Sequence, residues 1–337
     1  MTAMGWVGRA VAGLCAALVA PLPGAVTRAA SPPGAPELRV GVLEFGSVNW
    51  EIDTVQRMGL AGKHGIRLDV VPLASANAQK VALLGGKVDL IVSDWLWVAN
   101  LRSRGRYYEF VPYSKTVGAV MVNPAAGIKT MADLKGRKVG VAGGPLDKSW
   151  LIARAYARKK YGLDLKTSVT PQFAAPPLIN HLMLAGQLPA AFNFWQYDAR
   201  LSAEGMHPLI TVNQMLAGLG VDTEPPLLGW VFSESWAESH RDALQGFIAA
   251  TYDAKHLLVQ SDAAWQPLRD KVKPESEAVF AAIRQGYREG VVDRFGEREI
   301  AAAGQLFKII GVESNGELTG GASELPAGVF WSGFHRP

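Results

Sequence analysis

Gly85-Gly86-Lys87-Val88-Asp89-Leu90-Ile91-Val92-Ser93-Asp94-Trp95 returns one hundred residues later as Ala185-Gly186-Gln187-Leu188-Pro189-Ala190-Ala191-Phe192-Asn193-Phe194-Trp195. In both copies an apolar helical segment stops at glycine, a short apolar strand follows, and a polar residue and a tryptophan close the unit. The stretches before them also match: Lys63-His64-Gly65-Ile66-Arg67-Leu68-Asp69 is echoed by Lys160-Tyr161-Gly162-Leu163-Asp164-Leu165. Two similar α/β units imply two lobes. Two lobes imply a cleft where the strand ends meet.

Working outward, strands are expected at 38–43, 67–72 and 88–92, with helices through about 63, over 77–84 and over 97–105, and a return strand at 107–113. The second unit repeats this with strands at 138–141, 168–173, 190–194 and 206–212, and helices over 147–160 and 177–184. Strands alternating with helices indicate sheets that are mostly parallel and covered on both faces. Stretches 117–122 and 227–232 are expected to cross between lobes, and Glu224-Pro225-Pro226 marks a boundary that excludes regular structure. Residues 235–312 read as mostly helical, with apolar spacing of three and four over 243–258 and 276–286, packed on the first lobe.

The organisation expected is therefore a leader over 1–30, a discontinuous first lobe of 38–122 plus 227–312, a second lobe of 123–226, and a loosely packed tail at 313–337. The leader shows a charge at Arg9, an apolar run over 11–20 and small residues near 25–30, the pattern of a secretory signal peptide. Its apolar run is too short to span a bilayer comfortably. Export to the periplasm as a soluble, monomeric protein without a lipid anchor follows as an expectation.

The formal net charge is +4, and removing Arg9 and Arg28 with an acid-free leader leaves +2, so bulk charge gives no case for nucleic-acid binding. Cys15 is the single cysteine and lies within the leader, which removes thiol chemistry from the exported chain. The six histidines are scattered without metal-ligand spacing. No nucleophile motif or dinucleotide fingerprint stands out. Binding without turnover is the simpler expectation, with no catalytic or metal-ligating residues.

Five loops fall at the strand ends: 46–50, 73–77, 93–97, 142–150 and 193–197. They carry five of the nine tryptophans beyond the leader, Trp50, Trp95, Trp97, Trp150 and Trp195, and Trp230 lies on the second crossing. Each ring alone suits a core. All six together suggest flat surfaces for a planar organic ligand.

The segment Gly143-Gly144-Pro145-Leu146-Asp147-Lys148-Ser149-Trp150 allows close backbone approach at a helix start. Lys148 and Ser149 add donors for an anionic group, while Asp147 suits a helix cap. Its spacing is not that of a nucleotide P-loop. Polar companions at the other mouths are Ser47, Asn49 and Glu51, then Asn77, then Asp94, then Asn193. Asp94 and Asn193 form the preferred pair, and Lys115 offers a second positive point. Arg102, Arg104 and Arg106 read as a solvated helix face.

In order and spacing, Gly65-Ile66-Arg67-Leu68-Asp69-Val70-Val71, Leu84-Gly85-Gly86-Lys87-Val88-Asp89, the stretch 131–141 and 185–191 resemble the substrate-binding proteins of bacterial ABC importers. The resemblance is to the nitrate/sulfonate/taurine and thiamine-precursor (NitT/TauT-like) family and covers roughly residues 38–312. It implies a type II-like two-lobed periplasmic-binding-protein fold closing about a two-segment hinge, and a permease in the inner membrane as partner. It places ligand contacts at 47–50, 77–79, 93–95, 143–149 and 193–195. The many tryptophans depart from members that bind small anions. Asp-Trp-Leu-Trp at 94–97 and Asn-Phe-Trp at 193–195 resemble uptake proteins of methylotrophs, which points to pyrroloquinoline quinone as a transported ligand rather than a catalytic cofactor. A sulfonate, an aromatic carboxylate or a pyrimidine remain alternatives, the last leaning on Asp94 and Glu51. An enzyme on the same fold and a periplasmic sensor domain also stay open.

Overall fold

The computed structural model describes residues 1–2, 34–44, 46–221 and 223–334. The expected leader beyond its first two residues, Cys15 and Trp6 included, lies outside the described residues.

The chain opens with β1 (Glu37–Leu43), α1 (Ser47–Arg57), α2 (Leu60–Lys63), β2 (Arg67–Leu73), α3 (Ala76–Leu84), β3 (Leu90–Asp94), α4 (Trp95–Ser103) and β4 (Tyr108–Ser114). Leu38, Val40 and Val42 alternate into one core, as a half-buried strand requires, whereas Leu90 and Ile91 on the central β3 are both buried. β1 pairs in parallel with β2 along its whole length, from Glu37 opposite Arg67 to Leu43 opposite Leu73.

The second unit comprises β5 (Ala119–Val122), β6 (Lys138–Ala142), α5 (Lys148–Tyr161), α6 (Leu165–Ser168), β7 (Thr170–Ala174), α7 (Pro176–Leu184), β8 (Ala190–Phe192), α8 (Trp195–Ala203), β9 (His207–Thr211) and α9 (Val212–Leu219). The chain then forms β10 (Leu228–Ser233), α10 (Glu234–Ser239), α11 (Arg241–Gln260), α12 (Arg269–Val272), α13 (Glu277–Glu289) and α14 (Glu297–Glu313).

Two five-stranded sheets result, in the orders β2-β1-β3-β10-β4 and β7-β6-β8-β5-β9. The orders are the same once β1 is matched with β6, β2 with β7, β3 with β8, β10 with β5 and β4 with β9. Each sheet is mixed: β10 runs antiparallel to β3 and β4, and β5 runs antiparallel to β8 and β9. This corrects the expected crossing strands. Each belongs to the sheet it enters, and the passages are residues 115–118 and the stretch between α9 and β10. Gly118 turns the first passage at φ 92, and a Cβ there would stand 2.5 Å from the Asn193 carbonyl oxygen.

Three other expectations change. The second copy of the strand lead-in departs from the first, because Leu165–Ser168 forms a helical turn where Arg67 begins a strand. The late helices do not pack on the first lobe alone. α13 lies on α8, and α14 lies on α5, with Arg154 and Arg158 both reaching Glu313. The tail is not loose. Phe110 N–H donates to the Val329 carbonyl at 2.8 Å, Trp331 N–H donates to the Phe110 carbonyl at 3.0 Å, and Phe330 packs on Trp95 and Phe110. The tail thereby covers the edge that β4 would otherwise expose. Arg102 is drawn into the same contact, donating to the Ala327 and Tyr108 carbonyls and pairing with Glu234, so it is not a solvated residue.

Candidate functional site

β1, β3, β6 and β8 all end facing the junction of the two units, and the helices that follow them begin there. Four of these helix starts differ in how their free N–H groups are satisfied. Asp94 caps α4 by accepting from Trp97 N–H at 2.9 Å, and Asp147 caps α5 by accepting from Trp150 N–H at 3.1 Å. α1 starts after Gly46, at φ 143, and α8 starts after Phe194, and neither has a side-chain cap. The donor-rich ends are therefore those at Ser47 and Trp195. The expected anion cradle at Gly143, Gly144, Lys148 and Ser149 is largely self-satisfied: Asp147 serves the helix, and Ser149 Oγ donates to the Val117 carbonyl.

Lys148 reaches across the junction to Asp94, Nζ to Oδ2 at 2.9 Å. Burial works against the charge on both, but their mutual attraction prevails, so the Asp94 carboxyl lies below its ordinary range and the Lys148 ammonium above. Lys80 stands nearby with its ammonium 5.0 Å from the Trp97 ring centroid, and burial lowers its pKa despite the pull of Asp94. Burial also raises the Asp147 carboxyl against the pull of Lys148. Two lysines and two carboxylates thus meet between the units. The cluster is positive only if a ligand or a movement takes Asp94 away.

The tryptophan expectation needs correction. Trp50, Trp95, Trp150 and Trp230 are 3%, 0%, 2% and 1% exposed, too little to offer a ring face to a solute. Trp50 packs edge-on against Trp265, Trp150 against Phe192 and Trp230 against Phe247, while Trp95 meets Phe330 at a tilt. The cause is common to the first three. Each sits in the first turn of a helix that folds back over its sheet, so the ring points beneath the helix rather than out of the loop. Trp97 and Trp195 remain half-buried. Trp195 also meets Trp50 from the other unit, with ring centroids 6.1 Å apart.

Asn193 is spent on structure: its amide donates to the Pro176 carbonyl and to Asn180, while its own oxygen accepts from Phe194 N–H. Asn49 donates to the Glu44 carbonyl, and Asn77 is exposed on the first turn of α3. Gly143 and Gly144 both have positive φ, and a Cβ on Gly144 would meet nothing within 4 Å, so that loop leaves space on its surface. Lys115 pairs with Asp293 at 3.1 Å. Together with Trp195 it lines a cavity of about 690 Å³, which lies on the flank of the first passage between α8, α9 and α13 rather than between the strand ends.

Sequence reasoning names Glu51 as a polar companion and as a contact for a pyrimidine, and misses its partners. Glu51 is fully buried, pairs with Lys255 and accepts from the Tyr287 hydroxyl at 2.8 Å. Lys255 lies 204 positions away, so no local pattern links them. The sole signal available was a lysine on the apolar face of α11. Among the described residues no group of three or more His, Cys, Asp or Glu is placed to hold a metal ion, and no helix is long and apolar enough to cross a membrane.

Residues 62–263 match the model of a family described as NMT1/THI5 like. The chain belongs to the NMT1/THI5-like family. No curated protein sequence matches it. Solved structures share its fold at low identity. The alkanesulfonate-binding protein SsuA from Xanthomonas axonopodis pv. citri, bound to MOPS, is 18% identical with a TM-score of 0.65, over 90% of this chain and 99% of that one. The periplasmic aliphatic sulphonate binding protein SsuA from Escherichia coli is 17% identical with a TM-score of 0.68, over 88% and 92%. A DszB mutant in complex with biphenyl-2-sulfinic acid is 14% identical with a TM-score of 0.56, over 83% and 93%. The likeness extends along nearly the whole of each chain and is a likeness of fold: two α/β lobes of the type II binding-protein kind.

Proposed function

We propose that this member of the NMT1/THI5-like family is a periplasmic solute-binding protein that captures a small organic acid between its lobes and delivers it to an ABC permease, without turning it over. The observation that carries this reading is the Lys148–Asp94 bridge. It joins the strand ends of two like sheets, so a charged contact sits where opening and closing would make and break it. An acidic solute competes with Asp94 for Lys148, and the uncapped ends of α1 and α8 supply further donors.

An organosulfonate is the favoured solute. The sulfonate-binding proteins named above support it, as does the modest aromatic surface left at the junction. A larger planar acid such as pyrroloquinoline quinone is the second reading, carried by the half-buried rings of Trp97 and Trp195. It has lost the support of the other four rings. We expect a monomer acting in the periplasm after removal of the leader.

Calorimetric titration of the purified chain with ethanesulfonate, MOPS, benzoate and the quinone tests the proposal. Saturable one-to-one heat with a sulfonate is expected. Saturation by the quinone alone selects the second reading, and heat from none of them overturns acid binding.

A further inference from the structure

Beneath Ser47 lies a cavity of about 10 Å³, walled on the inside by Tyr113, Lys255 and Tyr287 and on the outside by Ser47 and Trp195. That is the room one water-sized group needs. Its inner wall is polar although it is sealed from solvent. Lys255 is 2% exposed and Tyr113 3% exposed, with the ammonium 3.8 Å from the Tyr113 ring centroid.

Lys255 spends one donor on Glu51 Oε2, which also accepts from Tyr287. Tyr113 stands within interaction reach of Glu51 and Ser47, yet neither its hydroxyl nor the other Glu51 oxygen makes a well-formed hydrogen bond. Replacing a buried ion pair by apolar side chains is often neutral or stabilising, so burial of this pair is weak evidence that it serves stability. Unsatisfied polar atoms beside a cleft instead point to something that satisfies them.

We propose that this cavity is an inner subsite that receives one oxygen of the solute's anionic head, with Lys255 Nζ and the Tyr113 hydroxyl as donors and Trp195 closing it from the second lobe. The inference rests on the acid-binding reading above and adds the residues that read the head group. It has a consequence for protons. The groups facing Glu51 are Lys255 on α11, Tyr287 on α13 and Tyr113 on β4, and Lys255 is the one cation among them. Burial already raises the Glu51 carboxyl and lowers the Lys255 ammonium. A solute anion that engages Lys255 places a second negative charge beside Glu51. Glu51 then takes a proton from solvent, and Lys255 stays charged against the solute. Binding is therefore accompanied by proton uptake and tightens as pH falls.

The test uses ethanesulfonate, which stays ionised across the range, titrated calorimetrically into the full chain at pH 6 and pH 8 in two buffers of different ionisation enthalpy. The wild type is expected to bind with net proton uptake and more tightly at pH 6. Tyr113→Phe removes one hydroxyl and should weaken binding by about five- to tenfold at an unchanged unfolding midpoint. Glu51→Gln should bind without proton uptake. If the wild type binds but both variants, shown to be folded, bind as it does with the same proton uptake, the subsite is overturned and acid binding stands. If ethanesulfonate does not bind the wild type, the subsite falls, and the wider panel above decides the acid-binding reading separately.

Discussion

Trp95 and Trp195 occupy the same place in two copies of one unit, each the first residue of a helix that follows a central strand, and their surroundings differ in kind. Trp95 is fully buried in its own lobe against Phe330 from the tail. Trp195 is half-buried, meets Trp50 of the other lobe and borders two cavities. The residue before each differs as well. Asp94 caps its helix and engages Lys148, whereas Phe194 leaves its helix uncapped and is 39% exposed. The copies share a backbone plan and divide the work. One end is closed on itself and anchors the fold; the other is left open toward the junction.

The strongest way to break this comparison is to delete both rings. Trp95→Ala should lower unfolding free energy by about 3–5 kcal/mol in urea denaturation. Trp195→Ala should cost clearly less stability and instead weaken solute binding by about 1–3 kcal/mol in titration. Equal losses of stability would erase the distinction.

Swapping the caps sharpens it. Asp94→Ala should cost about 1 kcal/mol through the α4 cap, together with the Lys148 contact. Phe194→Asp should raise the unfolding midpoint by giving α8 the cap it lacks. If Phe194→Asp destabilises the chain, the open end of α8 has a packing role that the comparison misses.

A further expected effect lies away from the junction. Burial raises the Glu109 carboxyl to about 7, helped by Glu234 and opposed by Arg102. The folded state therefore holds a proton that the unfolded chain releases near its ordinary value of 4.5. Stability should fall as pH rises from about 4.5 to about 7 and level off above. Glu109→Gln should flatten that part of the profile, measured as urea midpoints across pH. An unchanged slope would move its origin to another group.

The repeat made much of the fold legible. α3 and α7 start and end one hundred residues apart, as do α4 and α8. The apolar strands and their glycine stops follow the pattern read from sequence. The antiparallel return of β10 and β5 was not legible, because an apolar strand reads alike in either direction.

The site was less legible. A tryptophan just after a strand reads as a loop residue until the helix is known to begin on it, and α4 begins at Trp95. Asp94 is conspicuous in the sequence because of its place beside the repeat. Its partner Lys148 was read as an anion donor, with no means of seeing that Asp94 already supplies the anion. Glu51 and Lys255 are joined only by the three-dimensional fold.

Hinge closure on a bound acid is the central claim, and spin labels read it most directly. The single native cysteine is Cys15, so a chain lacking the leader accepts two introduced cysteines cleanly. Val81→Cys on α3 and Leu184→Cys on α7 place labels on exposed positions, one in each lobe. Double electron–electron resonance should show a broad distance distribution without solute that collapses to a single shorter distance at saturating ethanesulfonate. The same distribution with and without a solute that calorimetry shows to be bound would contradict the account.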